Sequence, residues 1–190
     1  MLRIVPYPHP ALRYESKPVT RIDENLRAKV AEMFDVMYEA RGIGLAANQV
    51  AIPLRFFILN LTADPEQSHA EEVFINPEIV KRHASVEEEE GCLSFPGLYG
   101  DVKRARKIRV RAYNLKGEPF EVEADELYSR AIQHELDHLD GKLFIDWLAP
   151  SKTVDAKVKE IEATFRADQA AGLYPDDATL KQRLENPDQT

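Results

Sequence analysis

Apolar residues first recur at helical spacing in "DENLRAKVAEMFDVMYEARG" (23–42), where Leu26, Val30, Met33, Phe34 and Met37 fall on one face. Asp23 stands where an N-cap belongs and Gly42 where a helix stops, so the pattern predicts a helix between them. "RFFILNL" (55–61) is a short apolar run and predicts a buried strand. "ADPEQSHAE" reads as a polar loop and "EVFINPEIV" as a second extended run. Pro77 lacks the N–H a sheet ladder needs, which puts that run at an edge or puts a bend in it. In "KIRVRAYN" the alternation is clean: Ile108, Val110 and Ala112 face one way, Lys107, Arg109 and Arg111 the other, as in a half-buried strand. "LKG" supplies a turn and "PFEVEA" returns, giving a hairpin. Residues 126–140 are helical again.

The two ends of the chain carry weaker patterns. Residues 1–22 are proline-rich and read as an irregular arm. Residues 151–170 read as a charged helix with no strong core face, and 175–190 as a polar, frayed tail. Strands clustered between helices predict an α+β fold, with one catalytic-sized domain over residues 1–174.

Composition narrows the class. The chain has 190 residues, 44% of them hydrophobic, and a formal net charge of −8. An acidic balance argues against a broad nucleic-acid surface, though not against a local basic patch. No apolar run reaches the ~18 residues of a membrane helix. The start "MLRIVPYPHPALRYESKP" has no apolar signal core, which makes a cytoplasmic protein the expectation. Cys92 is the only cysteine, so an internal disulfide is excluded. A lone thiol is commonly an inert core residue, and otherwise a nucleophile or a metal ligand.

Candidate chemistry centres on "QHELDHLDG" (133–141). On a helix His134 and His138 face the same way, with Cβ atoms roughly 5–6 Å apart, and two imidazoles at that spacing grip one metal ion. Glu135 is turned about 100° from His134, too far to ligate comfortably yet able to reach a metal-bound water as general base. The competing reading of so short a pattern is a pair of surface or core histidines satisfied by hydrogen bonds. The third ligand decides between metalloprotease classes. The position where one class carries a third histidine is Phe144, which disfavours that class. Glu160 and Glu162 lie in a charged, solvated segment. Cys92 is the more economical candidate, because a thiolate with two imidazoles suits Zn²⁺ or Fe²⁺ and leaves one position open.

Two further stretches bear on the site. Cys92 sits in "EEEEGCLSFPG". The acidic run there reads as a solvated loop or strand for Glu87–Glu89, whereas Glu90 joins the site's neighbourhood if Cys92 ligates. Gly91 allows close backbone approach, and the Leu93 N–H is placed to serve as an oxyanion donor. "GIGLAANQV" (42–50) lacks the lysine and the spacing of a phosphate loop. Its small residues suit a tight helix-to-strand connection, or an extended ligand pairing against the strand, and Gln49 could donate to a carbonyl oxygen.

Taken together and in this order, "GIGLAANQ", "EGCLS" and "QHELDHLDG" resemble the three signature motifs of the peptide deformylases. The likeness extends to "VPYPHPALR" and covers roughly residues 1–150. The resemblance implies an α+β fold of antiparallel sheets packed around a central helix that carries the HExxH motif, with an N-terminal and a C-terminal helix. It implies removal of the N-formyl group from the N-terminal formyl-methionine of new polypeptides, with release of formate. Position by position it implies Cys92, His134 and His138 as metal ligands and Glu135 as acid/base. The Gln49 amide and the Leu93 N–H become oxyanion donors, and the backbone around Gly44 becomes the peptide-pairing segment. The metal is Fe²⁺ by resemblance, while the ligand set also accepts Zn²⁺, Ni²⁺ or Co²⁺.

Helical spacing adds a pocket to this picture. Leu127, Ala131, His134 and His138 share one face, so Leu127 and Ala131 would line an apolar slot for methionine with Ile43 across from them and Arg130 at its border. Glu90 and Gly91 are grouped with these substrate-facing residues; plain core packing explains the apolar ones equally well. In relatives a C-terminal helix is implicated in docking to the ribosome, so the resemblance leaves ribosome contact as a possible further partner. Here Lys152, Lys157, Lys159 and Arg166 alternate with Asp155, Glu160, Glu162 and Asp168, which is not a basic patch. Two competing readings remain: an endopeptidase of similar mechanism, and a structural metal closed by four protein ligands.

Overall fold

The Asp23 carboxylate accepts from the Leu26 N–H at 3.0 Å and opens helix α1, Glu24–Glu39. Capping satisfies one of the orphan N–H groups every helix start leaves. The five apolar residues named for its inner face are all buried. In this computed structural model, which describes residues 2–185, the helix ends before Gly42. Arg41 takes the left-handed conformation (φ 57°), and Gly42 serves close packing instead, since a Cβ there would meet Leu93 Cδ1 at 2.7 Å.

Among the described residues seven strands form two sheets. β1 (Gly44–Ala46), β2 (Phe56–Leu59), β3 (Glu72–His83), β6 (Lys107–Tyr113) and β7 (Pro119–Asp125) make a five-stranded antiparallel sheet in the order β1-β2-β3-β6-β7. β4 (Val86–Gly91) and β5 (Tyr99–Arg104) pair separately. The acidic run is therefore a strand, and β5 is a partner the pattern did not announce. The polar loop contains a 3-10 turn, Pro65–Ala70. The edge reading of Pro77 is corrected: β3 is the middle strand. A register shift between Ile75 and Glu78 absorbs the proline, because the pairing to β2 has already ended at Ile75. Asn76, at φ 51°, holds this bulge by exchanging two side-chain hydrogen bonds with the Val19 backbone, at 2.8 and 2.9 Å. The predicted bend is thus real, and it costs the sheet no edge.

The hairpin of β6 and β7 follows the alternation residue by residue: Ile108, Val110 and Ala112 are buried. Helix α2 (Glu126–Leu139) lies across the large sheet. Its Ile132, Leu136 and Leu139 pack with Phe57, Phe74, Val110 and Ala124, so burial of this stripe fixes which way the rest of the helix faces.

The C-terminal third departs from expectation. Helix α3 (Lys152–Ala170) does have an inner stripe, Val154, Val158, Ile161 and Phe165, with Ile161 and Phe165 buried. Residues 177–185 of the expected tail form helix α4 (Asp177–Glu185), whose Leu180 and Leu184 are buried; residues 186–190 lie outside the described region. A two-leucine stripe in nine residues is too short for periodicity to reveal. These helices cover the N-terminal arm, where His9 meets the rings of Phe165 and Tyr174 at 6.0 and 6.1 Å. The arm is irregular apart from a 3-10 turn at Pro10–Arg13, and its Val5, Ala11 and Leu12 are buried. No described helix is long and apolar enough to cross a membrane.

Candidate active site

α2 carries His134 and His138 one turn apart, with ring centroids 5.0 Å from each other. Cys92 follows directly on β4, and its Sγ lies 3.3 Å from His138 Nε2. The ligand atoms of these three residues all fall within 4.8 Å of one another, the one such trio among the described residues. Glu160 and Glu162 are not part of it.

The surroundings suit a cation. Thiolate sulfur with two imidazole nitrogens is a complete three-ligand set for a tetrahedral ion with one position left open. His134 Nδ1 is 3.1 Å from Glu90 Oε2, the carboxylate backing that orients a ligating imidazole. Burial works to raise the Glu90 carboxyl, but hydrogen bonds from His134 and Arg104 outweigh it and hold it at about 2. Burial also works to lower the imidazole of His134, yet hydrogen bonds to Cys92 and Glu90 raise it well above its usual value. His138, buried and beside the His134 charge, is pushed well below.

Glu135 is buried, and burial lifts its carboxyl to about 7. Its Oε2 has no hydrogen-bond partner. Such an orphan is costly unless something else is meant to meet it. Strand β1 makes room for the carboxylate: a Cβ on Gly44 would sit 2.5 Å from Glu135 Oε1. Gln49 is buried as well. Its Oε1 accepts from the Ala46 N–H at 2.9 Å, which aims its amide NH₂ at Cys92 Sγ (3.6 Å) and Ser94 Oγ (3.2 Å). Among the described residues no backbone carbonyl accepts from the Leu93 N–H.

A cavity of about 560 Å³ opens over these groups. Gln49, Cys92, Leu93, His134 and Glu135 line it, and so do Ile43, Gly44, Glu90, Gly91, Leu127, Arg130 and Ala131. His138 lies beneath, 1% exposed. Within the wall the structure sorts the residues. Ala131 is buried, whereas Leu127 is exposed and stands at the mouth. Arg130 spends its charge on β4, donating to the Glu88 carboxylate and to the Glu89 carbonyl at 2.5 Å. The Glu90 carboxylate is likewise committed to Arg104 and His134.

Sequence reasoning missed Arg104, Asp137 and Tyr99. A signal for Arg104 existed: Val102 and Arg104 share a phase in "GDVKRA", so an arginine stands where the strand turns inward. Tyr99, 62% exposed, presses its ring on Gly91, where a Cβ would come within 2.6 Å.

Comparison with known proteins gives the chain a family. A sequence profile of the family described as polypeptide deformylase matches residues 1–154. A peptide deformylase of Rhodopirellula baltica is 40% identical over 184 residues, covering 96% of this chain and 91% of the relative. One from Acidobacterium capsulatum is 49% identical over 164 residues, covering 86% and 95%. The crystal structure of a peptide deformylase from Plasmodium falciparum superposes with a TM-score of 0.84 at 41% identity, covering 86% of this chain and 97% of that one. The chain belongs to the polypeptide deformylase family.

Proposed function

We propose that Cys92, His134 and His138 hold one divalent metal ion, Fe²⁺ in the cell and Zn²⁺, Ni²⁺ or Co²⁺ when supplied instead, and that Glu135 is the acid/base of the reaction. As a deformylase the chain is an enzyme that removes the N-formyl group from the N-terminal formyl-methionine of newly synthesised polypeptides and releases formate. The observation that carries the site reading is a thiol and two imidazoles within 4.8 Å, beside a buried carboxylate oxygen with no partner.

A divalent ion in such a site supplies Lewis acidity, lowering the pKa of water from 15.7 to roughly 7. The side chains do the rest. Glu135, near 7, accepts a proton from the attacking water and returns it to the amine as the formyl C–N bond breaks. Gln49 Nε2 and the Leu93 N–H donate to the formyl oxygen as negative charge builds there; one such donor is typically worth roughly 10²–10³ in rate. β1 ends the sheet order, so its outer edge near Gly44 is free to pair with an extended peptide. Ile43, Ala131 and Leu127 offer the apolar slot for methionine, and Glu90, Gly91 and Arg130 build the wall facing it.

The substrate places this activity in the cytoplasm, beside translation. Contact of α3 with the ribosome is a possible addition to this reading; on that helix Lys157 pairs with Glu160 at 2.8 Å and Arg166 with Asp177 at 2.9 Å, so its charge is mixed rather than a basic patch.

The test is formate release from a formyl-Met peptide by anaerobically prepared, iron-loaded protein, beside an unformylated peptide with internal bonds. Formate from the first and no cleavage of the second is the expected result. Cleavage of internal bonds, or a metal centre with four protein ligands, overturns the reading.

A further inference from the structure

Trp147, the only tryptophan in the chain, follows the short turn Phe144–Asp146. The residue is 49% exposed, yet its Nε1–H donates to Asp137 Oδ2 at 2.9 Å. The same oxygen accepts from Arg104 Nη1. The Arg104 side chain is 5% exposed, and its Nε and Nη2 donate to the two oxygens of Glu90, each at 3.0 Å. Glu90 Oε2 then meets His134 Nδ1 at 3.1 Å. Three side chains, Asp137, Arg104 and Glu90, thus connect a surface indole to a ring of the cluster. A two-pronged arginine–carboxylate pair fixes a plane as well as a distance. A buried guanidinium keeps that plane only while its other carboxylate is held too. The turn also reaches His134 directly, through the Phe144 ring at 6.1 Å, and Arg13 ties the turn down at Asp146 with bonds of 2.5 and 2.9 Å.

We propose that Trp147 is a positioning residue for His134. Its N–H holds Asp137, Asp137 and Glu90 hold the Arg104 fork between them, and the fork sets the angle at which the His134 ring presents Nε2 to the cluster. This inference rests on the assignment of Cys92, His134 and His138 as ligands. Without the indole N–H, the Asp137 carboxylate faces a cavity of about 280 Å³ that it shares with Arg104 and Trp147, and the fork is free to tilt.

Co²⁺ added to the full-length metal-free protein is the probe. Its visible absorption reports ligand geometry, and titration in a chelator buffer gives Kd. In the unaltered protein, Co²⁺ binds and the emission of the single indole changes on loading. Trp147→Phe keeps a ring and removes the donor. It raises Kd by about 3–10-fold and alters the Co²⁺ spectrum, less than the roughly 10–100-fold expected when a ligand's direct partner is lost, as in Glu90→Gln. Because Glu90→Gln already cuts the chain of contacts, adding Trp147→Phe to it raises Kd no further. Asp137→Asn checks the middle of the chain and falls between the two.

A Trp147→Phe protein with unaltered Kd and spectrum overturns the proposal even if its melting temperature falls, and so does full additivity in the double variant. Failure of the unaltered protein to bind Co²⁺ overturns the ligand assignment itself, a result recognisably different from normal binding that ignores Trp147.

Discussion

Two strands of this chain are rich in glutamate and use it differently. In β7, Glu121 and Glu123 stand exposed directly opposite Arg111 and Arg109, at 3.1 and 2.7 Å. In β4, Glu90 is buried between Arg104 and His134. Both Glu123 and Glu90 have carboxyls held at about 2: the first by hydrogen bonds from Arg109 and Lys107, the second by His134 and Arg104 working against burial. Equal acidity does not mean equal importance. Water and salt screen the exposed pair, so holding it together contributes little. The buried pair has no solvent to fall back on, and removing one partner strands the other. Glu135 makes a third case: buried and without a cation of its own, it has its carboxyl lifted to about 7 instead. Solvent access and the partner at hand, rather than residue type, separate a carboxylate that decorates, one that holds and one left unpaired, to which the proposed reading gives the reaction.

The contrast is sharpest at Glu135, the proposed acid/base. Glu135→Ala is expected to retain its metal and lose roughly 10²–10⁴-fold in formate release, since proton transfer is gone. Turnover and elemental analysis on the same preparation check it, and near-normal turnover removes the distinction. Glu90→Ala comes next. It is expected to cost about 3 kcal/mol in urea unfolding, the lower end for a broken buried pair because Asp137 still faces Arg104. A loss no larger than that of a surface variant would make β4 and β7 equivalent after all.

Outside both strands, His9 gives a pH signature. Burial, only partly offset by Asp177, lowers its imidazole from 6.5 to about 4. Between those values the unfolded chain binds a proton that the folded chain refuses. Its contribution is therefore complete above pH 6.5 and is lost as pH falls toward 4. Urea midpoints at pH 7 and 4.5 should differ less for His9→Asn than for the unaltered chain. The smallest effect belongs to Glu123→Ala: no measurable shift in the unfolding midpoint at physiological salt, despite the strongly acidic carboxyl it removes. A clear shift that survives added salt would refute the ranking.

What could be read in the residues follows from the range of the forces. α1 with its Asp23 cap, the β6–β7 hairpin and the HExxH helix are set by contacts a few positions apart, so local periodicity carries them. The three motifs were legible as a set because catalytic chemistry restricts residue types more tightly than packing does. Where the deciding contact was distant, the pattern failed. Pro77 sits in a central strand because Asn76 grips Val19, 57 positions away. The stripe of α3 is hidden among its charges, and α4 is held by leucines that mean nothing without the arm they meet. Arg104 shares the inward phase of Val102, but what holds a buried guanidinium there shows only once Glu90 and Asp137 are both in place.

The N-terminal arm does more than fill space. Its Val5 N–H bonds the Gln49 carbonyl at 2.8 Å and its Tyr7 N–H bonds the Ser94 carbonyl at 2.9 Å, so it laces the "GIGLAANQ" and "EGCLS" segments to each other from behind. α3 and α4 in turn pack on the arm, Phe165 against the His9 ring and Leu184 in one cluster with Val5, Ala11 and Leu12. The last helices of the molecule are thereby mechanically continuous with the amide that would face the formyl oxygen. A change made at the far end of the chain has a short route to the place where the bond is cut.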